Sequence, residues 1–125
     1  MARERALELL YEAEAKSLAI DDVLAGLPIE PDPYAVDVVT GVREHGGEID
    51  ALIVKLAPDW PLERMATVDR AVLRVGVYEL SQRPDVPTAV ILDEAVELAK
   101  RYSTEESGRF VNGVLAAAAR QLRPA

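Results

Sequence analysis

The sequence predicts an all-α protein of six or seven helices, and three observations carry that reading. Apolar residues recur at steps of three and four through every long segment. No segment alternates apolar with polar residues over the length of a strand. Proline-bearing breaks, LPIEPDP, APDWPL and RPDVP, separate the periodic segments. The 125 residues suit one domain, 1–125, with a core of its own. Half of them are hydrophobic and 29% charged, the balance of a soluble globular chain.

Each element has a local reason. In RERALELLYEAEAK (3–16), Leu7, Leu10 and Tyr11 share a face, with Glu8, Glu12 and Lys16 outside. A short helix covers IDDVLAGL. Asp32-Pro33 then supplies an N-cap followed by proline at the first helical position. Residues 34–57 place Ala35, Val39, Val42, Gly46, Ile49, Ile53 and Leu56 in one seam, with a bend or break expected at Gly46-Gly47. Residues 67–82 are apolar on nearly every side apart from a stripe of Arg70 and Arg74, so this helix should be central. In TAVILDEAVELAKRY, the residues Ile91, Leu92, Ala95, Leu98, Ala99 and Tyr102 should face inward. Ser103 to Glu106 reads as a capping box that opens the last helix. That helix carries Asn112-Gly113 beside Phe110, the only phenylalanine, although both are poor helix formers. Gly113 would remove a side chain where another helix or a ligand backbone comes close.

Composition narrows the function. With no cysteine, disulfides and thiolate metal sites are excluded, which fits a reducing cytoplasm. No apolar run approaches the ~20 residues of a membrane span, and MARERALELL lacks the layout of a signal peptide. The net charge is −8, but unevenly spread: residues 17–63 hold ten acids and two bases, residues 100–125 five bases and two acids. A basic end inside an acidic protein is compatible with a phosphate partner.

Catalysis finds little support. His45 is the only histidine, a poor metal site by itself. The pairs Asp21-Asp22, Asp93-Glu94 and Glu105-Glu106 point apart on a helix. No phosphate loop or nucleophile elbow occurs. Neither a catalytic residue nor a metal or cofactor is expected. Binding reads better. Arg3 and Tyr11 share a face ~12 Å apart, a guanidinium for phosphate and a phenol for base stacking. The plainer reading makes Leu7 and Tyr11 core beneath a snorkelling arginine. On the last helix Glu106, Arg109, Phe110 and Gly113 follow helical steps, with Arg101 and Tyr102 before the turn. Phe110 can be core or stacking platform, and spacing does not choose.

VDRAVLRVGVYEL (68–80), DVPTAVILDEAVELAK (85–100) and STEESGRFVNGVLAAAA (103–119) together resemble the NusB family of bacterial transcription antitermination factors. The likeness runs on through the first helix and the Trp60 region, so it covers nearly the whole chain. It implies two packed three-helix units and no catalysis or cofactor. It also implies binding of the boxA element of ribosomal RNA leader transcripts together with NusE, a ribosomal protein that doubles as a transcription factor. The pair helps RNA polymerase resist termination and supports ribosomal RNA maturation.

Carried over by position, RNA contacts fall on Arg3, Arg5, Tyr11, Glu106, Ser107, Arg109 and Phe110, with Arg101, Tyr102 and Asn112 nearby. The NusE-facing surface takes Asp69, Arg70, Arg74, Tyr78 and Glu79. This implies that the opening and closing helices lie side by side, forming one platform for a single strand. Relatives begin with a basic leader, of which only Arg3 and Arg5 remain around Glu4. Affinity should therefore lean on the partner, unless a basic extension precedes Met1. Gly108 stands where relatives carry a longer side chain. The alternatives are a protein-binding helical module, a homodimer that masks its RNA face, or a domain related to that of ribosomal RNA cytosine methyltransferases.

Overall fold

A helix that is apolar all round must be covered all round, and that requirement organises this molecule. The computed structural model describes residues 2–124. Its helices are α1 (Ala2–Ala15), α2 (Ile20–Ala25), α3 (Pro33–Glu44), α4 (Gly46–Leu56), α5 (Thr67–Gln82), α6 (Thr88–Tyr102) and α7 (Glu105–Leu122), with a 3-10 turn at Leu62–Arg64 before α5. Among the described residues there is no strand. As expected, α5 is the axis. Residues Ala71 to Leu80 are buried except Arg74. Helices α1 and α3 pack on one side of it, α6 and α7 on the other, and α4 bridges α5 to α7. Helix α2 lies outside, on α1 and α3.

Close approach of these helices is bought with glycine in two places. A Cβ on Gly41 would stand 2.1 Å from the Tyr78 ring, so α3 can meet α5 only without one. On the other side of α5, a Cβ on Gly76 would meet Leu115 of α7 at 2.7 Å. Termini are held by side chains. Asp32 accepts the Tyr34 N–H at 2.7 Å, the N-cap that the sequence implies. The end of α5 is clamped by Arg123, which donates to the carbonyls of Glu79, Leu80, Arg83 and Val86 at 2.7–3.1 Å. Leu80 and Val86 are carbonyls that the helix end and its following turn leave without a backbone donor, while Glu79 and Arg83 also accept the N–H groups of Arg83 and Val86.

Three expectations are corrected and two open alternatives are narrowed. The break between α3 and α4 falls at His45, one residue early, with Gly46 and Gly47 already inside α4. The cap of α7 is Thr104, whose Oγ1 accepts the Ser107 N–H at 3.0 Å. Ser103 instead closes α6, its N–H bound to the Ala99 carbonyl. Tyr102 does not face inward and Tyr11 is not core: they are 44% and 50% exposed. Gly113 meets no protein atom within 4 Å of a built Cβ, so no neighbouring helix explains it.

The two kinds of glycine should part on substitution. Gly41→Ala must displace the Tyr78 ring and is expected to cost about 1–3 kcal/mol. Gly113→Ala, on an open helix face, should stabilise by roughly 0.5–1 kcal/mol. Urea unfolding midpoints of both variants check this; a destabilised Gly113→Ala would reveal a packing role there.

Candidate nucleic-acid interface

α1 and the end of α6 meet at Glu4. The Tyr102 hydroxyl donates to Glu4, and Arg101 reaches the same carboxylate at 3.1 Å. One and two turns along α1, Leu7 and Tyr11 face a groove of about 580 Å³, closed on its other side by Val68 and Tyr102. Two half-exposed tyrosines, 91 residues apart in sequence, thus line a single depression. The next residue after Val68 is Asp69. It is buried, and it accepts the Ser107 hydroxyl at 2.9 Å, which ties the start of α5 to the start of α7. Phe110 lies one turn beyond Ser107, half-buried, its ring centroid 5.9 Å from that of Trp60 at a 45° tilt. The first and last helices are therefore joined through the start of α5 and the end of α6 rather than by lying flat together, and that is the correction to the side-by-side arrangement.

The cations of this face are loosely held. Arg5 pairs with Glu8 at 3.4 Å, Lys16 with Glu12 at 3.3 Å and Arg109 with Glu106 at 3.1 Å, all on exposed helix surface. Arg101 pairs with Glu4 and, at 3.8 Å, with Glu97. Exposed pairs of this kind contribute about 0–1 kcal/mol, so a phosphate can replace the carboxylate at small cost. Asn112 is exposed on the same helix as Arg109. Gly108 is covered by the stem of Lys100, whose Cγ would stand 2.8 Å from an added Cβ. That flexible chain takes the space a longer residue would need.

Arg3 is held differently. Its Nε lies 3.0 Å from both carboxylate oxygens of Glu79, its Nη2 2.9 Å from one of them, and Nη1 3.7 Å from Glu94. Glu79 is 1% exposed and also accepts the Tyr34 hydroxyl. The Tyr34 ring in turn carries the Arg83 guanidinium at 4.7 Å from its centroid. Arg83 continues to Asp37 at 2.8 Å and Asp85 at 3.0 Å, and Tyr78 donates to Asp37 at 2.9 Å. Arg3 therefore serves the junction of α1, α3, α5 and α6, and the snorkelling arginine of the plainer reading is not observed.

The residues expected to face a protein partner do not form one open patch. Asp69, Tyr78 and Glu79 are buried, which corrects their placement on the surface. Arg70 is largely enclosed: its Nη2 reaches Glu14, and Nη1 donates to the carbonyls of Leu62 and Met65. Arg74 is the more open. It grips Asp50 with two hydrogen bonds of 2.9 and 3.0 Å, on the wall of a second groove of about 480 Å³ shared with Leu18, Arg43 and Glu14. Trp60 went unassigned in the sequence. Its signal was an only tryptophan set between Pro58 and Pro61, where a connector fixes an aromatic ring in place.

Two expectations follow from these contacts. Arg3→Ala leaves the buried Glu79 charge with the Tyr34 hydroxyl alone and should cost about 3–5 kcal/mol, whereas Arg101→Ala should cost under about 1 kcal/mol. Equal urea midpoints for the two variants would contradict this division.

Stability should also fall at both ends of the pH scale. The Tyr102 hydroxyl, then Arg101, hold the Glu4 carboxyl below its ordinary value; Arg70 does so for Glu14 and Arg83 for Asp85. Carboxylates favoured in the folded state add stability above their ordinary pKa and lose it as pH falls through the lowered one. Burial, then the bond to Asp37, pushes the Tyr78 phenol up to about 12. That neutral phenol favours folding until pH passes the ordinary tyrosine value and climbs toward the raised one. Unfolding midpoints should form a plateau between about pH 6 and about pH 9; a midpoint that still rises above pH 10 would contradict the Tyr78 assignment.

Comparison with known proteins converges on one family. The model of the NusB family matches residues 1–120. The chain is 54% identical over 119 residues to the transcription antitermination protein NusB of Sorangium cellulosum, covering 90% of this chain and 85% of that one. It is 50% identical over 119 residues to the protein of that name from Kineococcus radiotolerans, covering 92% and 88%. Among solved structures, T. maritima NusB superposes with a TM-score of 0.88 at 35% identity, covering 98% of this chain and 91% of that one. A structure of the antitermination factors NusB and NusE in complex with dsRNA superposes at 0.77 and 30% identity, covering 96% and 94%. With its sequence and fold matched over nearly its full length, this chain belongs to the NusB family.

Proposed function

We propose that this chain is a transcription antitermination adaptor. It binds the boxA segment of ribosomal RNA leader transcripts together with the ribosomal protein NusE, supports processive transcription by RNA polymerase and ribosomal RNA maturation, and performs no catalysis of its own. The observation that carries this reading is the groove between Tyr11 and Tyr102, two exposed phenol rings beside arginines whose carboxylate partners are exchangeable. Single-stranded RNA is recognised by stacking of unpaired bases on aromatic rings, with cations on the backbone. Tyr11, Tyr102 and Phe110 are the stacking rings, and Arg5, Arg101 and Arg109 the phosphate contacts. Asn112 and Glu106 can bond base edges through amide and carboxylate. Arg3 and Ser107 act on RNA through the helices they position. On the partner side Arg74 and the edge of Arg70 are the exposed contacts, with Asp69, Tyr78 and Glu79 shaping that face from within. A structural neighbour was solved as NusB with NusE and double-stranded RNA, which makes strandedness part of the test.

The experiment is a fluorescence-anisotropy titration of labelled boxA RNA, single- and double-stranded, with and without NusE. Single-stranded boxA should bind more tightly when NusE is present, and its affinity should fall steeply with salt. Tyr11→Ala and Phe110→Ala should each weaken it by about 1–3 kcal/mol. Arg74→Glu should remove the NusE-dependent gain while leaving binding without NusE intact. No binding to either RNA, or a response flat in salt, would defeat the proposal.

A further inference from the structure

Trp60 itself has no part in that reading, although its exposed ring lies against Phe110. Trp60 is 52% exposed and lies four residues past the end of α4, with its ring against Phe110 of α7. Among the described residues, Lys55, Arg64 and Arg120 have no carboxylate within 4.0 Å; Arg123 shares that property but is spent on backbone carbonyls. All three free cations are exposed. Arg64 sits on the 3-10 turn that follows Trp60. Lys55 of α4 bonds Gln121 of α7 at 3.2 Å, next to Arg120. Trp60 packs on Phe110 in the first half of α7 with Arg64 four residues on in sequence, while Lys55 and Arg120 lie toward the end of α7, in a protein whose net charge is −8. In such an acidic chain, an exposed ring followed closely by an unpaired arginine favours a polyanion with aromatic groups.

We propose that Trp60 is a further base-stacking residue and that, with Arg64, it extends the RNA surface from the Tyr11–Tyr102 groove onto the Trp60–Phe110 edge. It would take single-stranded nucleotides that flank the boxA core. This rests on the RNA reading given above. The two places are linked through the interior: Val68 lines the groove, its buried neighbour Asp69 holds the buried Ser107, and Phe110, against Trp60, lies one turn further along α7. Gly113 fits the same picture. It is one turn beyond Phe110, on open surface, and leaves room beside that ring. Its helix cost of about 1 kcal/mol has no packing gain to offset it.

Trp60 is the only tryptophan, so its emission reports on this edge alone. The test titrates the protein with a single-stranded boxA oligonucleotide and with one extended by flanking nucleotides, following RNA anisotropy and tryptophan emission together. The extended RNA should quench Trp60, and Trp60→Ala should weaken it about tenfold while leaving the core oligonucleotide little changed. Trp60→Phe should keep most of the affinity, and Arg64→Glu should weaken the extended RNA selectively; circular dichroism checks the fold of each. Saturating anisotropy with unchanged emission, and equal affinity of Trp60→Ala for both RNAs, would overturn the proposal while leaving the RNA reading intact. Quenching by NusE without RNA would assign the edge to protein and overturn it also. If neither RNA binds the unaltered protein, the RNA reading itself fails.

Discussion

Burial of α5 on every side is the constraint from which the rest follows, and two acidic side chains make it demanding. Asp69 and Glu79 enter the interior at opposite ends of that helix. A buried carboxylate costs several kcal/mol unless it is met by well-placed donors. Glu79 is met by the fork of Arg3 and the hydroxyl of Tyr34; Asp69 is met at Oδ2 alone, by the hydroxyl of Ser107, and its buried Oδ1 has no partner among the described residues. Each bond fixes a different helix to the axis. Through Glu79 the start of α1 is held in register with α3 and α6; through Asp69 the start of α7 is held to the start of α5. The groove between Tyr11 and Tyr102 exists because both ties are made.

This arrangement separates two classes of arginine that look alike in sequence. Arg3, Arg70, Arg83 and Arg123 are enclosed by carboxylates, carbonyls and rings, and they shape the fold. Arg5, Arg101 and Arg109 rest on exposed pairs that solvent already weakens. An acidic protein can offer a polyanion-binding face in this way, because its surface acids compete feebly with phosphate for the exposed arginines.

Much of the fold was legible in the sequence, for a physical reason. Helical periodicity records which face is buried, so α5 could be recognised as central from its near-complete apolar covering, and Asp32-Pro33 as a start from capping chemistry alone. What could not be read were features that depend on the neighbour met in space. Nothing local says that Arg3 reaches Glu79, 76 positions on, or that Gly41 exists for the ring of Tyr78. The cap of α7 falls one residue later than read because Ser103 and Thr104 are both good caps side by side, and sequence does not separate them. Tyr11 and Tyr102 occupied apolar-face positions and yet emerged half exposed, since the helices diverge there and leave a groove. Phe110 is half-buried, packed on the core and against an exposed Trp60.

The central claim is that a single strand is received along the seam where α1 meets the end of α6 and the start of α7. Amide hydrogen exchange of the protein with and without boxA RNA addresses it most directly. The account predicts slowed exchange in the second half of α1, around Arg101 and Tyr102, and in the first turns of α7. Slowing confined to α2 and α3, with that seam unchanged under saturating RNA, would contradict it.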